Sequence, residues 1–524
     1  MSSDLVIRTE SLGGTPLSQF MQRGEAPADW HVPTPRRVEA WRSRIESIRA
    51  DQGGGWWEAI GPACAASGAA VERLARVAAR NGVVVTSGQQ PGLFGGPAYT
   101  WFKALSALAL ADLIEGETGV PAAPVFWAAT DDTDFDEASW TAVAMPGGAA
   151  RLELTGRPAE GVRMGDAALG DVRALMAELE RACGSAADPT ALRAVKRAYT
   201  PDATIGGAYV RLLRALLEPL GIAVLDATHP SVGDAADALL RRALRERETI
   251  AHALAERTAA IRAAGFEPQV EVVAGRTLVF ELAGGRRERV AFDRAEAAAA
   301  TAKPGALSGN VLLRPVLERW LLPTVAYMAG PGEIAYFAQV SAVADALGVA
   351  RPVALPRWSG TLIEPHVSAL LRAYQLDRNE FAEPNAVEAR LARAAWPAAV
   401  EREFATLREA LARQVAALRE TMVQEESLLP PEVVEGVGRG LEWRLKRLER
   451  RITAAVKRRE GRLMHELGTI RGALFPLGVR QERALNLVPL LARHGLDLLP
   501  RLREAAEGHA RDLVGVRAAR AVAR

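Results

Sequence analysis

The first two thirds of the chain alternate short apolar runs with longer stretches in which apolar residues recur at helical spacing. Residues 83–86 form an apolar, β-branched run. After a loop rich in glycine and proline, Phe102, Leu105 and Leu108 follow the period of a helix. Residues 124–128 then supply a second apolar run. This order predicts a βαβ unit with a right-handed crossover, hosted by a doubly wound parallel sheet.

The middle of the chain interrupts this alternation with mostly helical patterns. We predict helices over residues 171–183, 207–220 and 231–264, the last of them a single long helix. Residues 222–226 have the pattern of another buried strand. These segments are interpreted as insertions in the α/β core.

Three runs with β character follow, at residues 270–273, 277–282 and 289–292, with glycine-containing turns between them. They predict an antiparallel meander in an accessory subdomain. The α/β alternation resumes with a strand at residues 324–328, a helix to about residue 347, and a short apolar run at residues 352–355. We expect this part to complete the same sheet.

Beyond about Pro384 the chain changes to charged helix formers with two apolar seams, separated by the break at Pro430-Pro431. The seam positions are Phe404, Leu407, Leu411, Val415 and Leu418, and then Leu441, Leu445, Leu448, Ile452, Val456, Leu463, Leu467, Ile470 and Leu474. Two long helices joined by a proline turn predict an antiparallel hairpin. The long seams favour a coiled-coil contact with a second copy, and a hairpin packed only on its own chain stays open as the alternative.

Composition narrows the class of protein. A chain of 524 residues suggests roughly three domains, and 49% hydrophobic with 24% charged residues is typical of folded globular proteins. Lys and Arg number 65 against 63 Asp and Glu, so the formal charge of +2 gives no basic field for nucleic acid.

Cysteine usage and the N-terminal pattern indicate the compartment. Cys64 and Cys183 lie far apart and form no metal-binding or disulfide framework. Residues 1–14 lack the pattern of an export signal, and no apolar stretch reaches the roughly 18 residues of a membrane span. We therefore expect a cytoplasmic protein with no membrane partner.

The first candidate site is the loop after the run at residues 83–86. Glycines such as Gly88 and Gly96 let a backbone approach a phosphate, and the helix that follows offers free N–H groups. Gln89 and Gln90 can donate and accept hydrogen bonds but cannot serve as general bases. A tight structural turn is an equally good interpretation of this spacing. Lys103, on the following helix, is interpreted as a solvated lysine rather than a phosphate ligand.

The second candidate is an acidic loop after the run at residues 124–128. It comprises Asp131, Asp132, Asp134, Asp136 and Glu137. Carboxylates at the edge of a sheet can hold an ammonium group, bind a cation or accept a proton. The pattern departs from a calcium-binding EF-hand loop, and a solvated acidic loop remains the alternative.

The third candidate joins Arg314 to the segment that begins Gly330-Pro331-Gly332-Glu333. Arg314 can fork onto a carboxylate or phosphate, and the glycine-rich helix start predicts a second anion site. The alternatives are a surface salt bridge for Arg314 and helix-dipole compensation for Glu333. His229 is the best-placed histidine, but metal-ligand spacing is absent, so no metal site is predicted.

Several of these motifs, in this order, resemble the bacillithiol-forming cysteine ligases of the BshC family. The similar segments are the Gly88-Gln89-Gln90 loop with Gly96-Pro97-Ala98-Tyr99-Thr100, the run 124–127 with its acidic loop, Leu313-Arg314-Pro315, Gly330-Pro331-Gly332-Glu333-Ile334-Ala335-Tyr336, and Leu474-Phe475-Pro476-Leu477-Gly478 with Gln481-Glu482-Arg483. The resemblance spans essentially the whole chain.

The resemblance implies a domain organisation. It implies a Rossmann-like nucleotide-binding core over residues 1–385 with connecting insertions at about 145–220 and 260–305. A coiled-coil hairpin at 386–474 would mediate a homodimer, and a helical segment at 475–524 would return to the core. The fold class is therefore α/β with helical and small β insertions plus a long antiparallel coiled-coil hairpin.

The resemblance also implies a reaction, in which the carboxylate of cysteine is joined to the amine of glucosaminyl-malate. This amide formation is uphill in water, so ATP is expected as a co-substrate, through an adenylate or an acyl phosphate. The expected ligand-binding residues are Gly88, Gln89, Gln90, Gly96, Tyr99, Arg314, Gly332 and Glu333. Asp131, Asp132 and Asp134 are the expected catalytic residues, because the attacking amine must lose a proton.

The chain departs from the family pattern at one position. Thr133 stands where the acidic loop of the family usually carries a histidine, and a threonine cannot titrate near neutral pH. Two other classes stay open: a different nucleotide-dependent transferase or ligase on the same fold, and a non-catalytic coiled-coil scaffold.

Overall fold

The computed structural model describes residues 5–52, 55–383, 385–425 and 430–515. The described residues fall into two compact units. The smaller unit consists of Ala144–Ala149 and the described part of Glu364–Arg480, and the larger unit contains the rest. The boundaries 386 and 474 expected for the hairpin both lie inside the smaller unit. The composition change placed at Pro384, and the end of the segment 475–524, fall outside the described residues.

The strands in this part of the chain are short. They are β1 Val6–Thr9, β2 Val83–Gln89, β3 Ala122–Ala128, β4 Trp140–Met145, β5 Gly148–Glu153, β6 Ala223–Asp226, β7 Arg276–Ala283, β8 Arg286–Ala291, β9 Leu307–Gly309, β10 Thr324–Ala329, β11 Ala354–Pro356 and β12 Gly360–Ile363.

The α-helices carry most of the chain. They are α1 Pro16–Gln22, α2 Val38–Asp51, α3 Trp56–Cys64, α4 Gly68–Ala79, α5 Ala98–Thr118, α6 Phe135–Ala138, α7 Arg173–Cys183, α8 Thr190–Ala198, α9 Ile205–Leu217, α10 Pro230–Arg245, α11 Arg247–Ala263, α12 Ala295–Thr301, α13 Arg314–Leu321, α14 Pro331–Ala346, α15 Pro365–Ala373, α16 Ala386–Ala394, α17 Ala398–Gln424, α18 Pro431–Arg459, α19 Gly461–Leu474, α20 Gln481–Ala484, α21 Val488–His494 and α22 Leu498–Val514.

A five-stranded parallel sheet in the order β11-β10-β2-β3-β6 forms the centre of the larger unit. Strand β3 is buried along its whole length and β2 along all but its last residue, which explains why both are continuous apolar runs rather than alternating ones. The strand order reverses between β2 and β10. The predicted doubly wound α/β core is confirmed, and the reversal marks where such a sheet binds ligands.

Helices α5 and α14 each connect one of these two strands to the rest of the sheet. Both are buried around most of their circumference, as expected for helices covered on more than one side. Arg503 of α22 forms an ion pair with Asp112 of α5 at 2.5 Å, so the C-terminal helix covers α5. Helices α5 and α14 begin at the carboxyl ends of β2 and β10, and their first turns therefore meet at the same edge of the sheet.

The accessory β structure differs from the prediction in one strand. Strands β7 and β8 form the expected antiparallel hairpin, but the third strand is β9, which pairs with β7 on its other edge. Residues 270–273 are not a strand, and the prediction for them was wrong. The single long helix predicted over residues 231–264 is also two helices, α10 and α11, which meet at Glu246.

The smaller unit is built on the predicted helical hairpin. Helices α17 and α18 run antiparallel, because Arg408 pairs with Glu449 at 2.9 Å while Arg419, further along α17, pairs with the earlier residue Glu435 at 3.1 Å. Phe404 and Leu445 belong to a buried apolar cluster inside this hairpin. The second seam predicted as one helix is divided at Glu460 into α18 and α19.

After the hairpin, the chain belongs to the larger unit again from Gln481 onward. Arg357 forms a two-pronged ion pair with Glu482, with both distances 2.8 Å and both side chains almost completely buried. Gln481 exchanges two hydrogen bonds with the backbone of Leu362. The segment that precedes the smaller unit along the chain and the segment that follows it therefore contact each other within the larger unit. No helix in the described ranges is long and apolar enough to cross a membrane.

Candidate functional site

A cleft of about 430 Å³ opens at the carboxyl edge of the parallel sheet, where the order of β2 and β10 reverses. Its size is in the range of small-molecule sites. The residues that line it are Gly88, Gln89, Gln90, Trp127, Ala129, Asp131, Asp132, Thr133, Phe280, Arg287, Arg289, Gly309, Asn310, Val311, Arg314, Tyr327, Glu333 and Tyr336.

The end of β2 brings Gly88, Gln89 and Gln90 to the cleft. A side chain at Gly88 would place its Cβ 2.6 Å from the backbone oxygen of Trp127, so only glycine lets β2 and β3 approach this closely. Gln89 Nε2 donates to Glu137 Oε1 at 2.9 Å and to the Tyr99 hydroxyl at 3.2 Å. The Gln89 amide is therefore held in one orientation by its neighbours.

A buried ion pair lies beneath this loop, between Lys103 of α5 and Glu333 of α14. Lys103 is 3% exposed, and its Nζ lies 2.6 Å from Glu333 Oε2. The same ammonium donates to the backbone oxygen of Gly88 at 2.8 Å and to Gln89 Oε1 at 2.9 Å. The interpretation of Lys103 as a solvated helix residue was wrong, because α5 is buried on the side where the lysine projects.

Glu333 is the most heavily bonded carboxylate of the cleft. It accepts hydrogen bonds from the Tyr327 hydroxyl at 2.5 Å and from the backbone N–H of Gly330 at 2.6 Å. Burial opposes its ionisation, but the charge and hydrogen bond of Lys103, together with the hydrogen bonds from Tyr327 and Gly330, hold the pKa of the Glu333 carboxyl below its usual value. Glu333 already occupies the Gly330 N–H, so the anion site predicted at this helix start is partly filled by the protein itself.

Arg314 extends this network along the cleft wall. Its Nη1 donates to Glu318 Oε2 at 2.8 Å and its Nη2 to the Tyr327 hydroxyl at 3.2 Å. Glu318 is buried and Arg314 is mostly buried, so this is not the surface salt bridge considered as an alternative. The pair fixes the guanidinium at the cleft rather than leaving it mobile in solvent.

The acidic loop divides into residues that face the cleft and residues that do not. Asp131 and Asp132 line it, with Asp131 Oδ2 3.4 Å from Arg287 Nη2 and Asp132 Oδ2 3.4 Å from Gln90 Nε2. Asp134 is exposed and caps α6 by accepting the backbone N–H of Glu137 at 3.0 Å. The loop is therefore not simply solvated, and its first two acids are the ones that line the cleft.

Glu137 lies behind Gln89 rather than in solvent. Burial raises the pKa of its carboxyl, and the nearby charges of Asp134 and Asp132 raise it further. The Tyr99 hydroxyl also lies 3.3 Å from Glu137 Oε1. Glu137 and Tyr99 together form a support for Gln89.

The structure brings seven of the eleven expected site residues to the cleft wall. They are Gly88, Gln89, Gln90, Asp131, Asp132, Arg314 and Glu333. Gly96, Tyr99, Gly332 and Asp134 do not line it. Gly96 has a φ of +71° and lies in the turn that leads into α5, so its glycine meets a backbone requirement.

Sequence reasoning missed the contribution of the accessory β structure. Arg287 and Arg289 of β8 and Phe280 of β7 line the cleft. The one available signal was the alternation in β8, which places residues 287 and 289 on the same face of the strand. Nothing in that alternation indicated which surface the face would meet.

The histidine and cysteine side chains considered as candidates do not line the cleft. His229 caps α10 by accepting the backbone N–H of Ser231 at 3.2 Å, and it borders a small cavity of about 60 Å³ next to the cleft. Burial raises the pKa of the Cys64 thiol to about 12 and that of Cys183 to about 11, so neither is an activated nucleophile. Across the described ranges, no group of three or more His, Cys, Asp or Glu side chains could hold a metal ion.

The cleft combines carboxylates that can hold or deprotonate an amine with guanidiniums that can hold an anion. With the parallel sheet and its switch point, these features define a small-molecule enzyme with a Rossmann-like core.

Comparison with known proteins identifies the family. Residues 60–358 match the model described as "Bacillithiol biosynthesis BshC, N-terminal Rossmann-like domain", and residues 360–513 match "Bacillithiol biosynthesis BshC, C-terminal coiled-coil domain". The chain belongs to the bacillithiol biosynthesis BshC family of ligases.

Curated relatives agree with this assignment. A protein of Koribacter versatilis (strain Ellin345) is 33% identical over 468 residues, which cover 84% of this chain and 85% of the relative. A protein of Solibacter usitatus (strain Ellin6076) is 31% identical over 453 residues, covering 83% and 84%. A third, from Heliobacterium modesticaldum (strain ATCC 51547 / Ice1), is 31% identical over 478 residues, covering 84% of each. All three are named "Putative cysteine ligase BshC".

Proposed function

We propose that this protein joins the carboxylate of L-cysteine to the amine of glucosaminyl-malate, forming bacillithiol, and that ATP activates the carboxylate. The names of the relatives give a cysteine ligase and the family models give bacillithiol biosynthesis, while the amine substrate and ATP are added by this proposal. One structural observation carries it: a single cleft at the switch point of the sheet presents carboxylates from the loop after β3 and guanidiniums from α13 and β8.

The acidic wall fits the amine half of the reaction. An amine attacks only after it loses a proton, and Asp131 and Asp132 are the two carboxylates of the acidic loop that line the cleft. Asp132 also accepts the Gln90 amide, which orients one of its oxygens. We infer that Asp132 accepts the proton of the ammonium group and that Asp131 orients that group.

The remaining groups fit binding and orientation. Activation by ATP supplies the leaving group that amide formation from a free carboxylate requires. Arg314 and the β8 arginines are the cations on the cleft wall that could face phosphate or carboxylate oxygens. Gln89 and Gln90 contribute directional hydrogen bonds. The reaction consumes ATP and cysteine, so we place it in the cytoplasm.

Thr133 lines the cleft at the position where the family usually carries a histidine. A threonine hydroxyl can form a hydrogen bond but cannot hold a proton near neutral pH. The proposed mechanism therefore assigns the proton to a carboxylate, and it requires no histidine at position 133.

The test compares two aspartates of the same loop. Purified protein is supplied with cysteine, glucosaminyl-malate and ATP, and bacillithiol is measured by mass spectrometry. We expect Asp132→Asn to lower turnover by about 10²-fold to 10⁴-fold, the contribution of a positioned base. Asp134→Asn is the matched control and should retain turnover, since asparagine caps a helix as well as aspartate does. Equal turnover in both variants would refute the role of Asp132.

We further propose that the hairpin mediates a homodimer. Several large apolar side chains on α17 and α18 are exposed: Leu407, Leu418, Val423, Val433, Val437, Trp443 and Leu448. Trp443 is 54% exposed, and a partner helix would cover it. A second copy is the occupant that the coiled-coil family domain supports.

The dimer test must use exposed positions. Leu445 is buried in the hairpin's own cluster and Ile452 packs against it, so a charge at either would disrupt the hairpin itself. Trp443→Glu should give monomers with unchanged helix content, measured by light scattering and circular dichroism. A monomeric wild-type protein, or a dimeric Trp443→Glu variant, would contradict the proposal.

A further inference from the structure

Strand β8 directs two arginines into the cleft from the accessory β structure. Arg287 and Arg289 are two residues apart, so their side chains project from the same face of the strand. Phe280 pairs directly with Arg289 across the hairpin. Its ring centroid lies 4.1 Å from the guanidinium carbon of Arg287 and 5.6 Å from that of Arg289. One aromatic ring thus positions both cations.

Arg287 is well compensated by its surroundings. Its Nε donates to the Ser308 hydroxyl at 2.9 Å, and its Nη2 donates to the Gly309 backbone oxygen at 2.7 Å. Asp131 lies 3.4 Å from the same Nη2. The protein therefore supplies acceptors and a counter-charge for this arginine.

Arg289 has no such compensation. Within residues 5–52, 55–383, 385–425 and 430–515, no carboxylate oxygen lies within 4.0 Å of a guanidinium nitrogen of Arg289, the limit for an ion pair. Its Nε is shielded from solvent and has no hydrogen-bond partner among the residues that the structure describes. Burial and the neighbouring cations Arg287 and Arg276 lower the pKa of Arg289 below its usual value. These effects all disfavour a cation at this position.

A purely structural role does not account for this arrangement. Stacking on Phe280 positions a guanidinium but leaves its charge unbalanced, and Arg287 already stacks on the ring at shorter distance. A half-buried cation without a counter-ion is costly, and an anionic ligand in the cleft would remove that cost.

We propose that Arg289, assisted by Arg287, binds an anionic group of a substrate in the cleft, either a carboxylate or a phosphate. A planar guanidinium suits both, because it donates two parallel hydrogen bonds to either group. The inference rests on the proposed function only in its choice of substrates: the acceptor would bring the malyl carboxylates and the nucleotide would bring phosphates. Arg289 is thus a binding residue supplied by the accessory β structure.

The test measures binding directly, without turnover. L-Malate and tripolyphosphate are titrated separately into wild-type protein and variants at low ionic strength, by isothermal calorimetry. We expect Arg289→Ala to weaken binding of at least one probe by about 10-fold to 100-fold, as for the loss of a charge-assisted hydrogen bond. Arg286→Ala is the matched control, since Arg286 is an exposed arginine of the same strand on its opposite face. It should bind both probes as the wild type does.

The two probes separate the possible sources of the anion. Weakened malate binding alone assigns Arg289 to the acceptor, and weakened tripolyphosphate binding alone assigns it to the nucleotide. Arg289→Lys keeps the positive charge but lacks the two parallel donors of a guanidinium. Its affinity for the probes should lie between those of the wild type and Arg289→Ala. If bacillithiol formation is not observed but probe binding still depends on Arg289, the ligase proposal fails and the anion site stands. Failure of the wild type to bind either probe, or equal binding by Arg289→Ala and Arg286→Ala, would overturn the inference.

Discussion

Replacing Lys103 by methionine would remove the only cation that contacts Glu333 directly among the described residues. Breaking a buried ion pair from one side costs about 3–5 kcal/mol in the free energy of unfolding. Glu333 would keep its hydrogen bonds from Tyr327 and Gly330, which favours a smaller loss of stability within this range. The backbone oxygen of Gly88 and the Gln89 side chain would each lose a hydrogen-bond donor, which favours a larger loss of stability within the same range. We therefore expect a loss of about 4 kcal/mol near pH 7.

The loss should depend on pH with a definite sign. In the wild type the pKa of Glu333 is below its usual value, so its contribution to stability is present above that value and is lost as the pH falls. Without Lys103, the hydrogen bonds from Tyr327 and Gly330 remain but the opposite charge is gone, so burial, the largest single influence, should raise the pKa of Glu333 above the unfolded value. The carboxylate of the variant would then become more costly as the pH rises from about 4 to 7. The difference between wild type and variant should therefore be larger at pH 7 than at pH 4.

The assay is urea unfolding followed by tryptophan fluorescence, extrapolated to zero denaturant. Lys196→Met is the matched control, because Lys196 forms an exposed ion pair with Glu180 and its loss should cost less than about 1 kcal/mol. The double variant Lys103→Met/Glu333→Gln should recover part of the loss by removing the unpaired charge. If Lys103→Met cost no more than Lys196→Met at pH 7, the assignment of a stabilising buried pair would be wrong.

Two further predictions concern Gln90, in the loop after β2, and Glu137, which supports Gln89. Gln90→Ala should lower kcat/KM by about 5-fold to 150-fold, equivalent to about 1–3 kcal/mol, and unchanged kinetics in this variant and in Gln89→Ala would make the loop architectural only. Glu137→Gln keeps an acceptor for Gln89 but removes a charge that burial disfavours. A raised carboxyl pKa lowers stability as the pH rises above the unfolded value, so this variant should gain melting temperature relative to the wild type at pH 7.5 but not at pH 4. If the melting temperatures of variant and wild type differed equally at both pH values, ionisation of Glu137 would not be the cause of the difference.

The parallel sheet was predictable because its determinants are local. Strands β2 and β3 are continuous apolar runs since both faces are covered, and the periods of α5 and α14 follow directly after loops rich in glycine. The third strand of the accessory sheet was not predictable in this way. Residues 270–273 have high β propensity but pair with no strand in the described part of the chain, whereas β9 has three residues and owes its conformation to pairing with β7.

The candidate site was predicted in part for the same reason. Gln90 and Asp132 follow strands directly, so the rule for parallel sheets places them at one edge. The environment of Lys103 depends on Glu333, which lies 230 positions away along the chain, and no local pattern reveals that contact. The sequence alone likewise indicates that Arg289 is an exposed residue of a β-hairpin. Only the structure shows that this hairpin lines the cleft.

The return of the C-terminal segment to the larger unit has a consequence for biosynthesis. Helix α22 covers α5, and Glu482 supplies the buried partner of Arg357. A ribosome that has completed β12 must still translate roughly 120 residues, Glu364–Arg480, before either of these partners exists. At about 5–20 residues per second this takes on the order of 6–24 s. During that interval the emerging chain exposes the apolar surface of α5 and an unpaired arginine, which is the state that chaperones bind. Nascent-chain folding should therefore finish late, only after α22 has left the ribosome.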